Sequence, residues 1–443
     1  MAALAVALVA GASACGGSAS HAGAGSRSQP GTAVVKVDPG QVDQPIDGFG
    51  FAEAFREPVI AALPPSQQQR LGALLFSPRT GAGMSIVRFG LGGPTDPGDP
   101  ISGPGDVTDQ VWLGKLAEKF GVSQFYADAW SAPGKMKTDG SLDNGGFLCG
   151  LPGMKCLSGD SRQAYANYLT AQAKGFAEHG IPLTAVGFVN EPEIGPGYAS
   201  MQMSPAQAAG FAPFLGRALS AAHLSAKVAC CDDTGWTKGA AYARAVLGDP
   251  ASARYIGLIT SHGYSAAPTV PLTHTRHVWE SEWADFGHFD PAWDNGAKGD
   301  GLTWAQHIQT ALTKADVDAF CYWWGAAPAT DNEALIQLKG SRMTLSKRYW
   351  AFAAFSRYIR PGAVRVGATA ATAALQVSAF RNRDGSQVAE ILNNGSRPER
   401  VSLHGMAAGH LSAYVTGDAQ ALSPESGPLT VPARSLLTVV VSG

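Results

Sequence analysis

Two patterns of apolar and polar residues, one typical of strands and one of helices, alternate along the first three quarters of the chain. Short apolar runs of strand length recur at intervals, and the stretches between them carry apolar residues at helical spacing. The strand-like runs are Phe49–Phe51, Ser85–Phe89, Gln124–Trp130, Thr184–Val189, Lys227–Cys231, Ile256–Ser261, His277–Glu282 and Asp318–Trp324. The helix-like stretches are Pro65–Phe76, Gln110–Phe120, Arg162–His179, Pro205–His223, Lys238–Leu247 and Trp304–Lys314. Eight strands alternating with helices predict a (β/α)8 TIM barrel for residues 47–360.

The alternation of strands and helices ends at Arg360-Pro361-Gly362. After it, short strand-like runs follow one another with turn residues between them. These runs are Ala363–Val366, Leu375–Phe380, Gln387–Leu392, Arg400–Leu403, Leu411–Val415, Leu429–Val431 and Leu436–Val441. They predict a small β-sandwich for residues 361–443. Val34–Val37 is also strand-like but has no partner in the barrel, so we expect residues 32–46 to join the sandwich. That domain would then be built from both ends of the chain.

Residues 1–31 resemble an export signal followed by a flexible tether. Two processing routes fit the sequence. Ala12-Ser13-Ala14 matches a small-residue cleavage site, whereas Cys15 followed by glycines resembles a bacterial lipoprotein site, which we favour. The protein is therefore expected to be secreted, or held by a lipid at Cys15 on the outer face of the cell membrane.

Charge and composition reduce the number of possible partners and substrates. Charged residues make up 15% of the chain, the net charge is −2, and there are no basic runs, which argues against a nucleic-acid partner. The 10 Trp, 11 Tyr and 18 Phe offer platforms for sugar rings, so we expect a polysaccharide or oligosaccharide substrate. We expect the protein to be a monomer. No Cys/His cluster has metal-site spacing, and His262 has no second ligand near it in sequence, so no metal or other cofactor is predicted.

The cysteines fall into three groups. Cys149 and Cys156 bracket a six-residue loop and are the best disulfide pair in an exported protein. Cys230 and Cys231 are adjacent, and we expect them to be either buried thiols or a vicinal disulfide. Cys321 lies in an apolar run and is expected to be inert.

The first candidate carboxylate is Glu191. The apolar strand Thr184–Val189 runs into Asn190-Glu191-Pro192, and proline cannot donate to a sheet ladder, so the strand should stop there. Glu191 would then lie at the C-terminal mouth of the barrel, where such enzymes carry their chemistry. An ordinary turn is the alternative.

The second candidate is Glu282, at the end of the strand His277–Glu282, three βα units after Glu191. Alternation along a strand predicts that Val278, Glu280 and Glu282 share one face, with Glu282 nearest the mouth. Two carboxylates from two strand ends suit a retaining glycosidase. The alternative is that Glu280 and Glu282 are structural ion-pair residues.

Five separated motifs, in order, resemble glycoside hydrolase family 30 over Val35 to Val441. They are Ile46-Asp47-Gly48-Phe49-Gly50, Gly81-Ala82-Gly83 with Arg88, Ala129-Trp130-Ser131-Ala132-Pro133 with Met136-Lys137-Thr138, Asn190-Glu191-Pro192, and Trp279-Glu280-Ser281-Glu282. Further motifs resemble the endo-β-1,6-galactanase-like branch and its fungal xylanase relatives. These are Tyr126–Pro133, Asn144-Gly145-Gly146 with Leu148-Cys149-Gly150, Ser158-Gly159-Asp160 with Arg162–Ala166, and Cys230-Cys231-Asp232.

The resemblance implies a (β/α)8 barrel with an attached β-sandwich and retaining hydrolysis. It implies that Glu191 is the acid/base and that Glu282 is the nucleophile. Glu280 departs from the family, in which an uncharged residue is usual at that position. We expect it to perturb the pKa of Glu282 or to pair with a neighbour such as Arg88.

The candidates for substrate contact are Asn190, Trp130, Arg88, Tyr264, Trp323, Trp324 and Glu53. Asn190 is expected to hydrogen-bond the sugar 2-hydroxyl, because an amide donates and accepts without titrating. Arg88 would keep the nucleophile ionised or form a plain salt bridge. At least one of the aromatic residues at strand ends should form the floor of the sugar site. Glu53 would contact a sugar hydroxyl or act as a cap.

The sequence therefore predicts a secreted retaining endo-β-glycanase acting on a plant-type polysaccharide, with β-1,6-galactan as the best candidate. The first alternative is an endo- or exo-xylanase or glucuronoxylanase of the same family. The second is a non-catalytic surface lipoprotein that binds carbohydrate.

Overall fold

The computed structural model describes residues 32–92 and 108–442. The predicted signal peptide, the tether and Cys15 lie outside the described residues. Within the described ranges, no helix has both the length and the apolar character needed to cross a membrane.

Eight parallel strands close into a barrel, which confirms the predicted fold. In order around the barrel they are β2 (Gly48–Ala52), β3 (Ile86–Leu91), β4 (Gln124–Ala129), β5 (Ala185–Val186), β6 (Lys227–Asp233), β7 (Ile256–His262), β8 (His277–Trp283) and β9 (Ala319–Tyr322). β1 (Ala33–Ile46) precedes them. Tyr126 and Trp279 pack edge to face inside the barrel, and the unpaired Cys321 is buried in the same cluster, as expected for an inert thiol. The C-terminal ends of the strands form the polar mouth of the barrel.

Helices surround the barrel. They are α1 (Glu57–Ala61), α2 (Pro65–Phe76), α3 (Thr108–Glu118), α4 (Arg162–Glu178), α5 (Pro205–Ala221), α6 (Trp236–Gly248), α7 (Pro250–Ala253), α8 (Gly301–Lys314) and α9 (Lys347–Tyr358), with a short 3₁₀ turn at Gly134–Met136. α5 begins with a capping box, in which Ser204 Oγ accepts from the Gln207 amide and the Gln207 side chain accepts from the Ser204 amide. The sequence did not predict α9, nor the three-stranded sheet of β10 (Trp324–Ala327), β11 (Ala334–Lys339) and β12 (Arg342–Leu345).

β5 is much shorter than the predicted strand Thr184–Val189, because only Ala185 and Val186 pair in the ladder. The backbone at Gly187 passes so close to Asp128 and Tyr126 that a Cβ there would clash with their side chains. The next carbonyl, that of Phe188, accepts a hydrogen bond from Tyr165 Oη at 2.8 Å. The strand therefore ends well before Pro192, and that proline is not the reason.

The second sheet has nine strands and forms the sandwich-like domain. Beyond β1 its strands are β13 (Ala363–Ala370), β14 (Leu375–Arg381), β15 (Gln387–Asn393), β16 (Glu399–His404), β17 (His410–Thr416), β18 (Ser423–Glu425), β19 (Thr430–Val431) and β20 (Ser435–Ser442). They are ordered β18-β17-β20-β15-β14-β13-β1-β16-β19. β1 pairs antiparallel with β13 and parallel with β16. The prediction that this domain uses both ends of the chain is confirmed.

Polar contacts fix the sandwich to the barrel. The Arg434 guanidinium binds both carboxylate oxygens of Asp294 at 2.8 Å, and its backbone carbonyl accepts from Trp293 Nε1 at 2.6 Å. Lys347, at the start of α9, donates to the backbone carbonyls of Gly417 and Gln420. These contacts hold the two domains together.

A hydrogen-bonded pair at the N-terminal ends of the barrel strands should make the stability of the fold depend on pH. His277 Nδ1 lies 2.7 Å from Asp47 Oδ2, and this hydrogen bond is the main cause that raises the pKa of His277 to about 9. Because that pKa exceeds the unfolded value of about 6.5, the protonated imidazole stabilises the fold below about pH 6.5. This contribution is lost as the pH rises through about 9. We expect the destabilisation caused by His277→Gln, measured by urea unfolding, to be larger at about pH 6 than at about pH 10. A difference that stays constant between these pH values would contradict the assignment.

Candidate active site

A cavity of about 530 Å³ opens at the C-terminal ends of the barrel strands. Its lining includes Asn190, Glu191 and Glu282 together with Tyr264 and the indole rings of Trp130, Trp323 and Trp324. The two glutamates predicted from separate strand ends therefore meet in one cavity. Most of the predicted substrate contacts are also found there.

Glu282 is held by two hydrogen-bond donors. The Arg88 guanidinium donates to one carboxylate oxygen, and Tyr264 Oη donates to the other at 2.9 Å. Glu282 is 5% exposed and Arg88 is fully buried, so this ion pair lies largely out of water. Both contacts fix the position of the carboxylate at the edge of the cavity.

The strand β8 is irregular, so the predicted alternation along it is wrong. Val278 packs in the cluster that includes the surrounding helices, whereas Trp279 packs inside the barrel. Glu282, three residues later, also reaches the inner side. The pairing register shifts against β7 between Glu280 and Glu282, and against β9 between Glu280 and Trp283. This shift turns the end of the strand so that Glu282 faces the mouth.

Glu280 is fully buried, and neither of its carboxylate oxygens has a hydrogen-bond partner among the described residues. It forms no ion pair with Arg88 there, so that expectation is wrong. Burial, and secondarily the charge of Glu282, raises its pKa well above the usual range, against the opposing effect of His262. A neutral carboxyl adds no second negative charge next to Glu282.

Glu191 follows β5 on a loop and has a positive φ of 47°. Its amide donates to the Asp232 carbonyl at 2.7 Å, which fixes the backbone against β6. Its carboxylate oxygen Oε1 lies 3.2 Å from His262 Nδ1. With 12% of its side chain exposed, Glu191 is the more accessible of the two cavity glutamates.

His262, at the end of β7, lies between Glu191, Asp232 and Glu282. This position corrects the expectation that no second potential metal ligand lies near it. Its Nε2 is 3.5 Å from Asp232 and 3.7 Å from Glu282. Burial alone lowers its pKa, but the charge of Glu282 and hydrogen bonds to Asp232 and Glu191 raise it well above its ordinary value. The imidazole is therefore protonated when the surrounding carboxylates are charged.

Glu191, His262 and Glu282 offer ligand atoms within 4.8 Å of one another, which is a donor set that could hold a metal ion. The Arg88 guanidinium already occupies one oxygen of Glu282. The raised pKa of His262 also opposes metal binding, because a ligating imidazole must be unprotonated. That the protein needs no metal stays a prediction.

Asp232, at the end of β6, is the acceptor that joins this network. It accepts hydrogen bonds from Tyr126 Oη, from Thr260 Oγ1 at 3.0 Å and from Ser281 Oγ at 2.6 Å. Burial would raise its pKa, but Arg88, His262 and the Ser281 hydroxyl together hold the pKa well below the usual range. Asp232 therefore favours its charged form, which faces Arg88 and His262 beneath the site.

Arg88 also positions Asn190, whose Oδ1 accepts from the guanidinium at 2.7 Å. The Asn190 side chain borders the cavity, as predicted, and with its oxygen held by Arg88 its NH2 group stays available to a ligand. Arg88 itself is fully buried and does not line the cavity, so its predicted role in contacting substrate is replaced by one of holding Glu282 and Asn190.

Glu53 does not line the cavity, which corrects the expected contact with sugar. Its Oε2 accepts from the backbone amides of Gly325 at 2.8 Å and Ala326 at 3.3 Å, and so fixes β10 beside the barrel. It is not the N-cap of α1 either, since that position belongs to Arg56.

Both candidate cysteine pairs are disulfides. Cys149 and Cys156 are joined across their loop with a Cα–Cα distance of 5.6 Å, as expected. Cys230 and Cys231 form the vicinal disulfide that was one of the two alternatives, directly before Asp232.

Several residues that line the cavity were not predicted. They are Phe55, Arg56, Ile194, Tyr198, Ala199, Thr234, Phe286 and Glu333. All lie on loops beyond strand ends, where no periodicity marks which side chains turn inward. His262 and Asp232 could have been noticed as polar residues ending apolar strands at the same mouth.

Two family models match the chain. The glycosyl hydrolase family 30 TIM-barrel domain matches residues 108–284, and the family 30 beta sandwich domain matches residues 362–439. Among solved structures, the chain is similar to the catalytic domain of GH30 xylanase C from Talaromyces cellulolyticus. The identity is 40%, the TM-score is 0.86, and the match covers 93% of this chain and 100% of that one.

Two curated proteins are more distant relatives. Putative glucosylceramidase 1 of Caenorhabditis elegans is 27% identical over 64% of this chain, which spans only 58% of that relative's length. Glucuronoxylanase XynC of Bacillus subtilis strain 168 is 24% identical over 75% of this chain and 77% of its own. The two matched domains and the 40% identity across nearly the whole chain show that the protein belongs to glycoside hydrolase family 30.

Proposed function

We propose that the protein hydrolyses β-glycosidic bonds in a polysaccharide with net retention of anomeric configuration. The observation that carries this proposal is the approach of oxygens from Glu191 and Glu282 within 4.8 Å in an open cavity. Retaining glycosidases hold their carboxyl groups about 5–5.5 Å apart, whereas inverting enzymes need about 6.5–9.5 Å to fit a water molecule between them and the sugar. The spacing supports direct attack by one carboxylate.

In the first step, Glu282 attacks the anomeric carbon while Glu191 donates its proton to the departing glycosidic oxygen. Arg88 and Tyr264 hold the Glu282 carboxylate in position for this attack. His262 Nδ1 lies 3.2 Å from Glu191 Oε1 and orients this carboxyl group at the cavity.

In the second step, water attacks the glycosyl-enzyme and Glu191 takes the proton from that water. The bond between the anomeric carbon and Glu282 breaks, and the carboxylate regains its negative charge beside Arg88. The sugar leaves with the configuration that it had in the substrate, because two inversions have taken place.

For the substrate, we propose a plant-type β-glycan, with xylan and β-1,6-galactan as the two candidates. The relative that is 40% identical is named a xylanase, which supports xylan. The motifs around Tyr126–Pro133 and Cys230-Cys231-Asp232 resemble both the endo-β-1,6-galactanase-like branch and its fungal xylanase relatives, so they support both candidates. Secretion, lipidation at Cys15 and a monomeric state stay predictions from the sequence.

Digests of xylan, glucuronoxylan, β-1,6-galactan and β-1,6-glucan, followed by proton NMR, test the reaction and the substrate together. We expect one of the first three to release reducing sugar, with the β-anomer formed first and the α-anomer appearing only by mutarotation. Initial formation of the α-anomer would contradict retention. Binding without release of any reducing sugar would favour the carbohydrate-binding alternative.

A further inference from the structure

The Cys230–Cys231 disulfide lies in β6, directly before Asp232, and both cysteines are 1% exposed. Neighbouring side chains of a regular strand point to opposite faces of the sheet. A bond between the two sulfur atoms holds neighbouring side chains together, so the strand is not regular at this point. The disulfide is therefore a covalent constraint on the backbone at the C-terminal end of β6.

β6 departs from regular alternation within the segment that contains the disulfide. Ala229 packs in the cluster inside the barrel. Asp232, three residues later, accepts a hydrogen bond from Tyr126 of the same cluster, so it also reaches the inner side. On a regular strand, residues three apart would face opposite sides. The change of side therefore falls between Ala229 and Asp232, where the two cysteines lie.

The pairing of β6 with β7 shows the same irregularity. Cys231 is paired with Thr260 of β7. Asp233 is paired with Ser261, the next residue of β7, so Asp232 is an extra residue in β6. Asp232 has a positive φ of 48°, and its amide donates to Thr260 Oγ1 at 3.1 Å rather than to a backbone carbonyl of β7.

Asp232 connects the two cavity glutamates through both its backbone and its side chain. Its carbonyl accepts from the Glu191 amide at 2.7 Å. Its carboxylate lies 3.6 Å from the guanidinium of Arg88, which donates to Glu282. The same carboxylate lies 3.5 Å from His262 Nε2, and the other ring nitrogen of His262 contacts Glu191. A displacement of Asp232 would therefore affect both glutamates.

We propose that the Cys230–Cys231 disulfide positions Asp232, and through it the two cavity glutamates, so that full activity requires the oxidised pair. This inference rests on the proposed function. A dithiol reductant breaks the sulfur–sulfur bond by supplying two electrons and two protons. Each cysteine then becomes a thiol, and the reductant becomes a cyclic disulfide. Without the bond, regular alternation becomes accessible to β6, and in that arrangement Asp232 faces away from Arg88.

The double substitution Cys230→Ala/Cys231→Ala is the first test. We expect kcat/KM on the glycan to fall roughly tenfold to hundredfold, because the catalytic groups lose their alignment. On an aryl glycoside with a good leaving group, which needs little help from the acid, the loss should be about fivefold smaller or less. A merely structural role would reduce both activities by the same factor, because it would only lower the amount of folded enzyme.

Cys149→Ala/Cys156→Ala is the matched control. It removes the other disulfide of the described residues, which lies on a loop and has neither cysteine in the cavity lining. We expect its two activities to change by the same factor. Equal losses on both substrates in Cys230→Ala/Cys231→Ala, or no loss on either, would overturn the assignment.

Reduction of the control variant is the second test and does not depend on the folding of the Cys230→Ala/Cys231→Ala protein. Within the described part of this variant, Cys230–Cys231 is the disulfide that remains. Dithiothreitol should lower glycan activity in proportion to the fraction of reduced pairs, counted by alkylation and mass spectrometry, and reoxidation should restore it. Full activity with the pair reduced would overturn the proposal. If the untreated wild type cleaves neither substrate, the proposed function itself fails.

Discussion

Glu282→Gln is expected to lower kcat on the polysaccharide by a factor on the order of 10⁴ or more. The amide keeps the size of the carboxylate but cannot act as the anionic nucleophile, so the glycosyl-enzyme cannot form. Steady-state release of reducing sugar measures the loss. Near-UV circular dichroism and thermal unfolding establish that the variant remains folded.

Glu280→Gln is the matched control, since it lies two residues away in the same strand and is also buried. Burial already keeps Glu280 neutral, so replacing it by a neutral amide should change kcat by less than about tenfold. A loss at Glu280 as large as that at Glu282 would contradict the assignment of Glu282 as the nucleophile.

Arg88→Ala is expected to lower both stability and activity. The guanidinium is fully buried against Glu282, Asp128 and Asn190 and lies 3.6 Å from Asp232, so removing it leaves buried negative charge uncompensated. Breaking a buried pair in this way typically costs about 3–5 kcal/mol in the free energy of unfolding. Urea denaturation at neutral pH measures that change.

Arg348→Ala separates the catalytic part of this effect from the structural part. Arg348 is also fully buried, but it donates to the backbone carbonyls of Asp290, Gly299 and Ala334 and forms no salt bridge among the described residues. We expect it to destabilise the fold while leaving kcat of the remaining folded protein within a few-fold of wild type. If Arg88→Ala is no more damaging to kcat than Arg348→Ala, the role of Arg88 in holding Glu282 is wrong.

The barrel could be predicted because the spacing of apolar residues that marks each strand and helix is a local property of the chain. The sequence could also place Glu191 and Glu282 at one mouth, since the ends of parallel strands meet there. It did not predict the role of His262, because the partners of that residue come from β6, from β8 and from the loop after β5. No local pattern encodes the register shift in β8 either, which depends on pairing with both neighbouring strands.

The helix α9 shows a second limit. Lys347–Tyr358 is buried on most of its surface, with Tyr349, Phe352 and Phe355 fully enclosed between the barrel and the sandwich. A helix covered on several sides lacks the single apolar stripe by which amphipathic helices are identified. The cavity residues on loops, such as Phe286, were missed for a different reason, because loop side chains follow no periodic pattern.

The most direct test of the account is the product that Glu282→Ala forms with an activated aryl β-glycoside in the presence of azide. Azide fits the space left by the carboxylate and should attack the same α face that Glu282 attacks. Because no second displacement follows, the account predicts an α-glycosyl azide and a rate that rises with azide concentration. A β-glycosyl azide, or hydrolysis at the wild-type rate without azide, would contradict the claim that Glu282 is the nucleophile.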